Sequence, residues 1–440
     1  MSATQILEFL KPSVAALLES ARARSLLILE PLREEDVRRQ HSPLMAPLVW
    51  DLAHVGNYED LWLLRAVGKD GVRPSVDDLY DAFRHPRVTR PALPLLGPRE
   101  ARAYIAEVRR RALDSLDLVE FDPSRPLLRD GFVYGLVVQH EHQHDETMLA
   151  TRQLMGECSP PLEGMTPAPP AEARDGATAG AEVLVPGGRY VIGTDFEPWA
   201  YDNERPAHEV SLARFWIDTV PVTCGAYREF IEAGGYGQRR WWTDDGWSWR
   251  QEAELAHPQF WQPEGAGSWS VLRFGARRDL RLDEPVQHVC WHEADAYARW
   301  RGRRLPSEAE WEVAASIGPD GGKRRFPWGD ARPIEATANV GQRHDGPAPV
   351  GAYPAGASAF GCLQMVGDVW EWTSSDFGPY PGFESFPYRE YSEVFFDSGY
   401  KVLRGGCWAT WPGSARCTFR NWDHPIRRHI FSGFRCARDA

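Results

Sequence analysis

Four long stretches of this chain carry apolar residues at helical spacing, at residues 13–31, 47–67, 98–118 and 129–155. Pro47 stands where a first helical turn tolerates proline, because the N–H it lacks has no partner there. Four such helices predict a bundle over residues 1–156, and the interior of a bundle is a natural place for a metal site. The pattern then changes. Within residues 157–182, "CSPPLEGMTPAPPAEARDGATAGAE" is dominated by proline, glycine and alanine with almost nothing to bury, which predicts a linker or surface loop. From 183 to 440, short β-like runs such as "GGRYVIG", "HEVSLARFWID" and "KVLRGGCWA" alternate with glycine turns. Helices are few there, although Ser307 and Glu310 mark a capping box at the start of one in "LPSEAEWEVAAS". The fold class expected is α+β, a helical bundle followed by an irregular domain.

Composition narrows the function classes. A net charge of −12 with no offsetting basic block argues against a nucleic-acid partner and towards small molecules. No apolar run reaches the roughly 18–20 residues of a membrane span. The seven cysteines are odd in number and include no C-x-x-C pair, and "MSATQILEFLKPS" lacks the features of a secretory signal. Both point to a reducing cytoplasm. Nearly all of the nineteen tryptophans fall after residue 200, so the two parts of the chain are built differently.

The chemistry concentrates in "VVQHEHQHDETML", where His140, His142 and His144 fall within five residues. On a helix His140 and His144 project from one face, along a stripe with Val133, Val137 and Thr151, while His142 points elsewhere. Two neutral imidazoles one turn apart make half of a metal site, suited to iron, zinc, copper or nickel. A polar helix face is the plainer alternative. The same run satisfies H-E-x-x-H, in which Glu141 would be the general base of a zinc protease. The longer form of that motif fails, because Thr147 and Ala150 stand where it requires glycine and histidine. In "PLVWDLAHVGNYEDLWLLR", His54 shares a helical face with Trp50, Tyr58 and Leu61 and can supply a third imidazole across the bundle.

With these residues in place the chain resembles the sulfoxide synthases of ergothioneine biosynthesis over nearly its whole length. "LVWDLAHVGNYEDLWLLR" and "VVQHEHQHDETMLATRQL" are similar to that family's iron-binding helices in a DinB-like four-helix bundle. "RLPSEAEWEVAA", "PWGD", "GDVWEWTSS", "LRGGCW" and "SGFRCAR" resemble the formylglycine-generating-enzyme fold, a variant of the C-type lectin fold. The resemblance implies a non-haem Fe(II) enzyme. Such an enzyme joins a thiol to the imidazole C2 of Nα-trimethylhistidine (hercynine) and oxidises the sulfur with O2. The chain is similar to members that use γ-glutamylcysteine.

Carried onto this sequence, the resemblance makes His54, His140 and His144 the iron ligands. It places Gln143, Asn421 and Trp422 beside trimethylhistidine, and Arg87, Arg90, Asp423 and Arg427 at the thiol. Guanidinium forks suit the two carboxylates of a γ-glutamyl dipeptide, and an aromatic face suits a quaternary ammonium that cannot donate an N–H bond. The family's proton-donating tyrosine maps to Tyr380, with Tyr388 and Tyr391 as alternatives in register. A phenol suits the role because it stays protonated near neutrality. Cys407 and Cys417 lie ten residues apart and do not form the close copper-binding pair of the formylglycine-generating enzymes. Cys407 and Cys436 read instead as small buried apolar residues. The competing readings are an ovothiol-type synthase joining cysteine to the other imidazole carbon of histidine, the zinc protease, and a lectin-like binding module without turnover.

Overall fold

A computed structural model describes residues 3–168, 180–265 and 267–440. The centre of the expected linker, 169–179, lies outside the described residues. The chain divides into two units, Met1–Glu163 and Gly164–Ala440.

Four long helices build the first unit among the described residues: α1 (Ala3–Leu29), α2 (Leu48–Glu59), α3 (Pro98–Leu118) and α4 (Phe132–Leu154). All four overlap the periodic stretches, although α1 begins at Ala3, well before residue 13, and Pro47 is the N-cap of α2, one position before its first residue. α3 shows why the pattern works. Ala101, Tyr104, Ile105, Val108, Ala112 and Leu116 recur at three- and four-residue intervals and are its buried stripe. α1 packs along α4 and α2 along α3, and α2 also meets α4. The α2–α3 approach is closest at Gly56, where a Cβ would collide with the Ile105 side chain. α2 does not continue as an α-helix to residue 67. It passes into a π-helical turn, Asp60–Leu64, then a 3-10 turn, Arg65–Val67. The wider turn breaks the α-helical phase. Leu61, expected on the His54 face, is accordingly 41% exposed, while Trp50 and Tyr58 stay buried.

α4 is unusual in being buried nearly all round. Gln139, His140, Glu141, His142, Asp145, Arg152 and Gln153 lie inside with its apolar residues. Buried polar groups on this scale require internal partners.

Among its described residues the second unit joins four small sheets to short helices. β1 (Glu182–Val185), β4 (Phe215–Asp218) and β12 (Ala437–Asp439) form one sheet, in the order β1-β4-β12. β2 (Gly188–Ile192) and β3 (His208–Leu212) form a two-stranded ribbon. Thus "HEVSLARFWID" is two strands in different sheets. β5 (Trp261–Gly265), β6 (Ser268–Arg273) and β7 (Ala276–Asp279) form a three-stranded meander. The last sheet has the order β10-β9-β8-β11, from β8 (Trp370–Asp376), β9 (Lys401–Arg404), β10 (Arg420–Asp423) and β11 (Ser432–Gly433). The helices are α5 (Cys224–Glu232), α6 (Asp244–Glu252), α7 (Trp291–Trp300) and α8 (Glu308–Ser316), the last with the expected Ser307/Glu310 capping box.

Strands this short leave many loop carbonyls to satisfy, and buried arginines do it. The Arg420 guanidinium donates to Glu308 and to the carbonyls of Asn203 (2.8 Å) and Gly378 (3.0 Å). The Arg435 guanidinium donates to Glu371 and to the carbonyls of Asp218 (3.0 Å) and Leu363 (3.0 Å). Five donors in a planar fork let one side chain tie an ion pair to two loops. Trp311, Trp372 and Trp408 fill the remaining interior with no exposed surface.

Candidate metal centre and substrate-facing residues

α2 contributes His54, and α4 contributes His140 and His144. One potential donor atom of each lies within 4.8 Å of the others. Neighbouring aromatic rings hold these imidazoles in place. Trp50 stacks on His54 with centroids 4.5 Å apart, and Tyr58 stacks on His140 at 3.6 Å. Spacing of four residues along α2 puts Trp50, His54 and Tyr58 in one row.

Two of the three rings have their tautomer set by a hydrogen bond. His54 Nδ1–H donates to the Tyr80 carbonyl at 2.7 Å, and His144 Nδ1–H donates to Asp51 Oδ1 at 3.0 Å. Each leaves its Nε2 lone pair as the donor atom. Among the described residues the buried His140 Nδ1 has no hydrogen-bond partner, so that ring is placed by stacking. Burial, then the neighbouring His144, holds the His54 and His140 pKa values well below the usual imidazole range. They therefore stay neutral, as metal ligands must be. Three imidazole nitrogen donors, two of them with fixed tautomers, fit a first-row divalent metal.

His142 turns away from the cluster, and its Nδ1–H donates to Asp145 Oδ2 at 3.0 Å. Glu141 also faces elsewhere. Its carboxylate is held by Arg22 at 2.6 Å and Arg109 at 2.8 Å. A general base must reach a metal-bound water, and this one is locked into ion pairs. The zinc-protease assignment for Glu141 is corrected on that ground.

Arg90 lies close to the cluster. Its guanidinium sits 3.5 Å over the Trp50 ring, and Nε donates to the His85 carbonyl at 2.9 Å. Burial pushes its pKa down to about 10, against the opposing pull of Asp51, so it remains a cation near neutrality. Arg87 is exposed and donates to the Leu44 carbonyl at 2.9 Å. Gln143, one turn from His140, is half-buried.

In the second unit, β10 carries Asn421, Trp422 and Asp423 opposite Leu403, Val402 and Lys401 of β9. Strand alternation puts Asn421 and Asp423 on one face and Trp422 on the other. Asp423 pairs with Arg427 at 3.6 Å. Trp422 stacks on Phe377 at 4.1 Å, and Tyr391 stands edge-on to it at 5.8 Å.

Tyr380 is the most deeply buried of the three candidate tyrosines. It belongs to the apolar core with Ile192, Trp311 and Cys417. Its hydroxyl donates to Glu308 at a long 3.5 Å, and Arg420 covers its ring at 4.0 Å. Burial, then the Glu308 charge, pushes its pKa further up. Tyr388 and Tyr391 are half-buried, and Tyr391 already meets Trp422. Sequence reasoning also missed Asp51, one turn before His54. The aspartate in "VWDLAH" was visible, but nothing local shows that it reaches a histidine 93 residues away.

Residues 17–148 match the DinB superfamily, and residues 167–440 match the sulfatase-modifying factor enzyme 1-like domain. The hercynine oxygenase of Mycolicibacterium smegmatis is 53% identical, covering 98% of this chain and 99% of its own. That of Mycobacterium tuberculosis is 50% identical, covering 97% of this chain and 98% of its own. The formylglycine-generating enzyme of Streptomyces coelicolor is 34% identical over 64% of this chain and 95% of its own. The molecule is an oxygenase built from a DinB-like helical unit and a formylglycine-generating-enzyme-type unit, with a candidate three-histidine metal site in the first. It belongs to the hercynine oxygenase family of sulfoxide synthases and takes small-molecule substrates. Among the described residues no helix is long and apolar enough to cross a membrane.

Proposed function

We propose that the chain binds Fe(II) through His54, His140 and His144. With O2 it joins the sulfur of γ-glutamylcysteine to the imidazole C2 of Nα-trimethylhistidine, with oxidation of the sulfur. The reading rests above all on one observation: the histidine cluster lies in a chain at least 50% identical, nearly end to end, to three hercynine oxygenases. When bound, the iron supplies a Lewis-acidic site for thiolate and dioxygen.

The protein's own groups do the rest. Arg87 and Arg90 hold carboxylates of the thiol substrate, while Asp423 and Arg427 serve its ammonium and carboxylate groups. Gln143 and Asn421 orient the imidazole of trimethylhistidine. The corner formed by Trp422 and Tyr391 suits a quaternary ammonium, through an attraction of about 0.5–2 kcal/mol. Tyr380 is the proton-donating phenol, with Tyr388 and Tyr391 as the alternatives in register. Seven free cysteines, six of them buried, support a reducing cytoplasmic setting.

Oxygen uptake by Fe(II)-loaded protein given γ-glutamylcysteine, with and without Nα-trimethylhistidine, tests this directly. Mass spectrometry should find a coupled sulfoxide only when both substrates are present. Coupling at the other imidazole carbon would instead favour the ovothiol-type reaction. Verified iron loading with no uptake would refute the oxygenase reading of this site.

A further inference from the structure

Four buried charges, one from each helix of the bundle, meet beside the histidine cluster. Arg22 of α1 bonds Glu59 of α2 at 2.7 Å and Glu141 of α4 at 2.6 Å. Arg109 of α3 bonds the same two carboxylates at 2.5 and 2.8 Å. None of the four is more than 7% exposed, and the charges sum to zero. The guanidiniums also cross-link the outer helices, Arg22 donating to the Ile105 carbonyl at 2.8 Å and Arg109 to that of Leu18. The box adjoins the site along both metal-bearing helices. Glu141 directly follows His140, and Glu59 directly follows Tyr58, whose ring stacks on His140.

We propose that this box is a positioning device for the three-histidine site, setting the register of α2 against α4 and so the separation of His54 from His140 and His144. The inference rests on the reading that these histidines bind a metal. Apolar side chains alone allow neighbouring registers that bury similar area, because dispersion and burial are not directional. A slip of α2 against α4 in this bundle strands at least one buried charge without its partner, which a low-dielectric interior strongly disfavours. Buried polar groups that specify register are the best-attested use of such networks. The glutamate between the two candidate ligands of α4 is thus a register-setting residue, not a base.

The test uses full-length protein stripped of metal and titrated with Co(II), whose visible d–d bands report coordination geometry. The double substitution Glu59→Leu/Arg109→Met removes one charge of each sign and leaves the Arg22–Glu141 pair intact. Apolar replacement of a buried pair commonly preserves stability, so this variant should melt near the wild type without metal. It should nonetheless bind Co(II) roughly tenfold more weakly, a loss typical of supporting groups around a metal, and shift the d–d bands. Arg22→Lys keeps the buried charge but cannot bridge both carboxylates with a fork, and should show the same spectral shift. It reads out the proposal even if the double variant fails to fold. Folded variants that match wild-type affinity within twofold, with unchanged spectra, would make the box a stabilising element only and overturn the proposal. Folded wild type that takes up no Co(II) would instead overturn the metal-site reading beneath it.

Discussion

Replacing Asp51 with alanine should separate metal affinity from stability. Asp51 is 1% exposed, and its Oδ1 accepts the His144 Nδ1–H bond at 3.0 Å. Its Oδ2 is buried with no hydrogen-bond partner among the described residues. The carboxylate therefore makes one charge-assisted bond worth ~1.5–3 kcal/mol while carrying an unsatisfied oxygen that costs ~1–3 kcal/mol. These nearly cancel, so the metal-free Asp51→Ala protein should melt within a few degrees of wild type, if not above it. Metal binding should respond differently. Without Asp51 the His144 ring is free to rotate and to exchange tautomers, and its Nε2 becomes less basic. Loss of such a partner weakens metal binding by about 10–100-fold, or ~1.4–2.7 kcal/mol. Asp51→Asn keeps an acceptor in place and should fall between the two. Competition with a chromophoric chelator gives the Fe(II) dissociation constant, and thermal melts of apo and loaded protein give an independent check through linkage. An Asp51→Ala protein that holds Fe(II) within twofold of wild type would refute the argument. So would an Asn variant that binds more weakly than the Ala variant.

Other expectations concern the second unit. Tyr380→Phe should spare metal binding while suppressing sulfoxide formation. Tyr388→Phe and Tyr391→Phe should leave the product distribution unchanged, and product analysis by mass spectrometry separates the three. Glu308 bridges Arg404 at 2.6 Å and Arg420 at 2.7 Å, so Glu308→Gln should destabilise the fold by ~3–5 kcal/mol in chemical denaturation. A loss below 1 kcal/mol would show that these guanidiniums find other partners. Burial, then the Arg273 charge, pushes the His288 pKa down to about 3. The folded state therefore binds fewer protons than the unfolded chain, whose histidine titrates near 6.5. The stability tied to the neutral ring is present above about pH 6.5 and lost as pH falls towards 3, by ~3 kcal/mol at pH 4. His288→Gln should flatten the fall in melting temperature between pH 6.5 and 4, and parallel curves would contradict the assignment.

Local pattern determined a good deal of this protein. The start and end of α3, the capping box at Ser307, and the projection of His140 and His144 from one face of α4 depend only on residues a few positions apart. Short-range geometry therefore made them legible. The row of Trp50, His54 and Tyr58 was legible for the same reason, and it ended at Leu61 because a π-helical turn changed the spacing. What required the tertiary structure was every relation across the chain. Asp51 reaches His144 only because α2 and α4 lie side by side. Glu141 is held by arginines from α1 and α3, 119 and 32 residues away, and no local motif distinguishes it from a catalytic base. Tyr380, Tyr388 and Tyr391 look alike in an aromatic loop, since a phenol's neighbours decide whether it packs or reacts. Only the packing of Glu308 and Arg420 around Tyr380 shows how deeply it is buried. Periodicity specifies which face a residue occupies, whereas its partner on that face is decided by chain segments that sequence spacing does not relate.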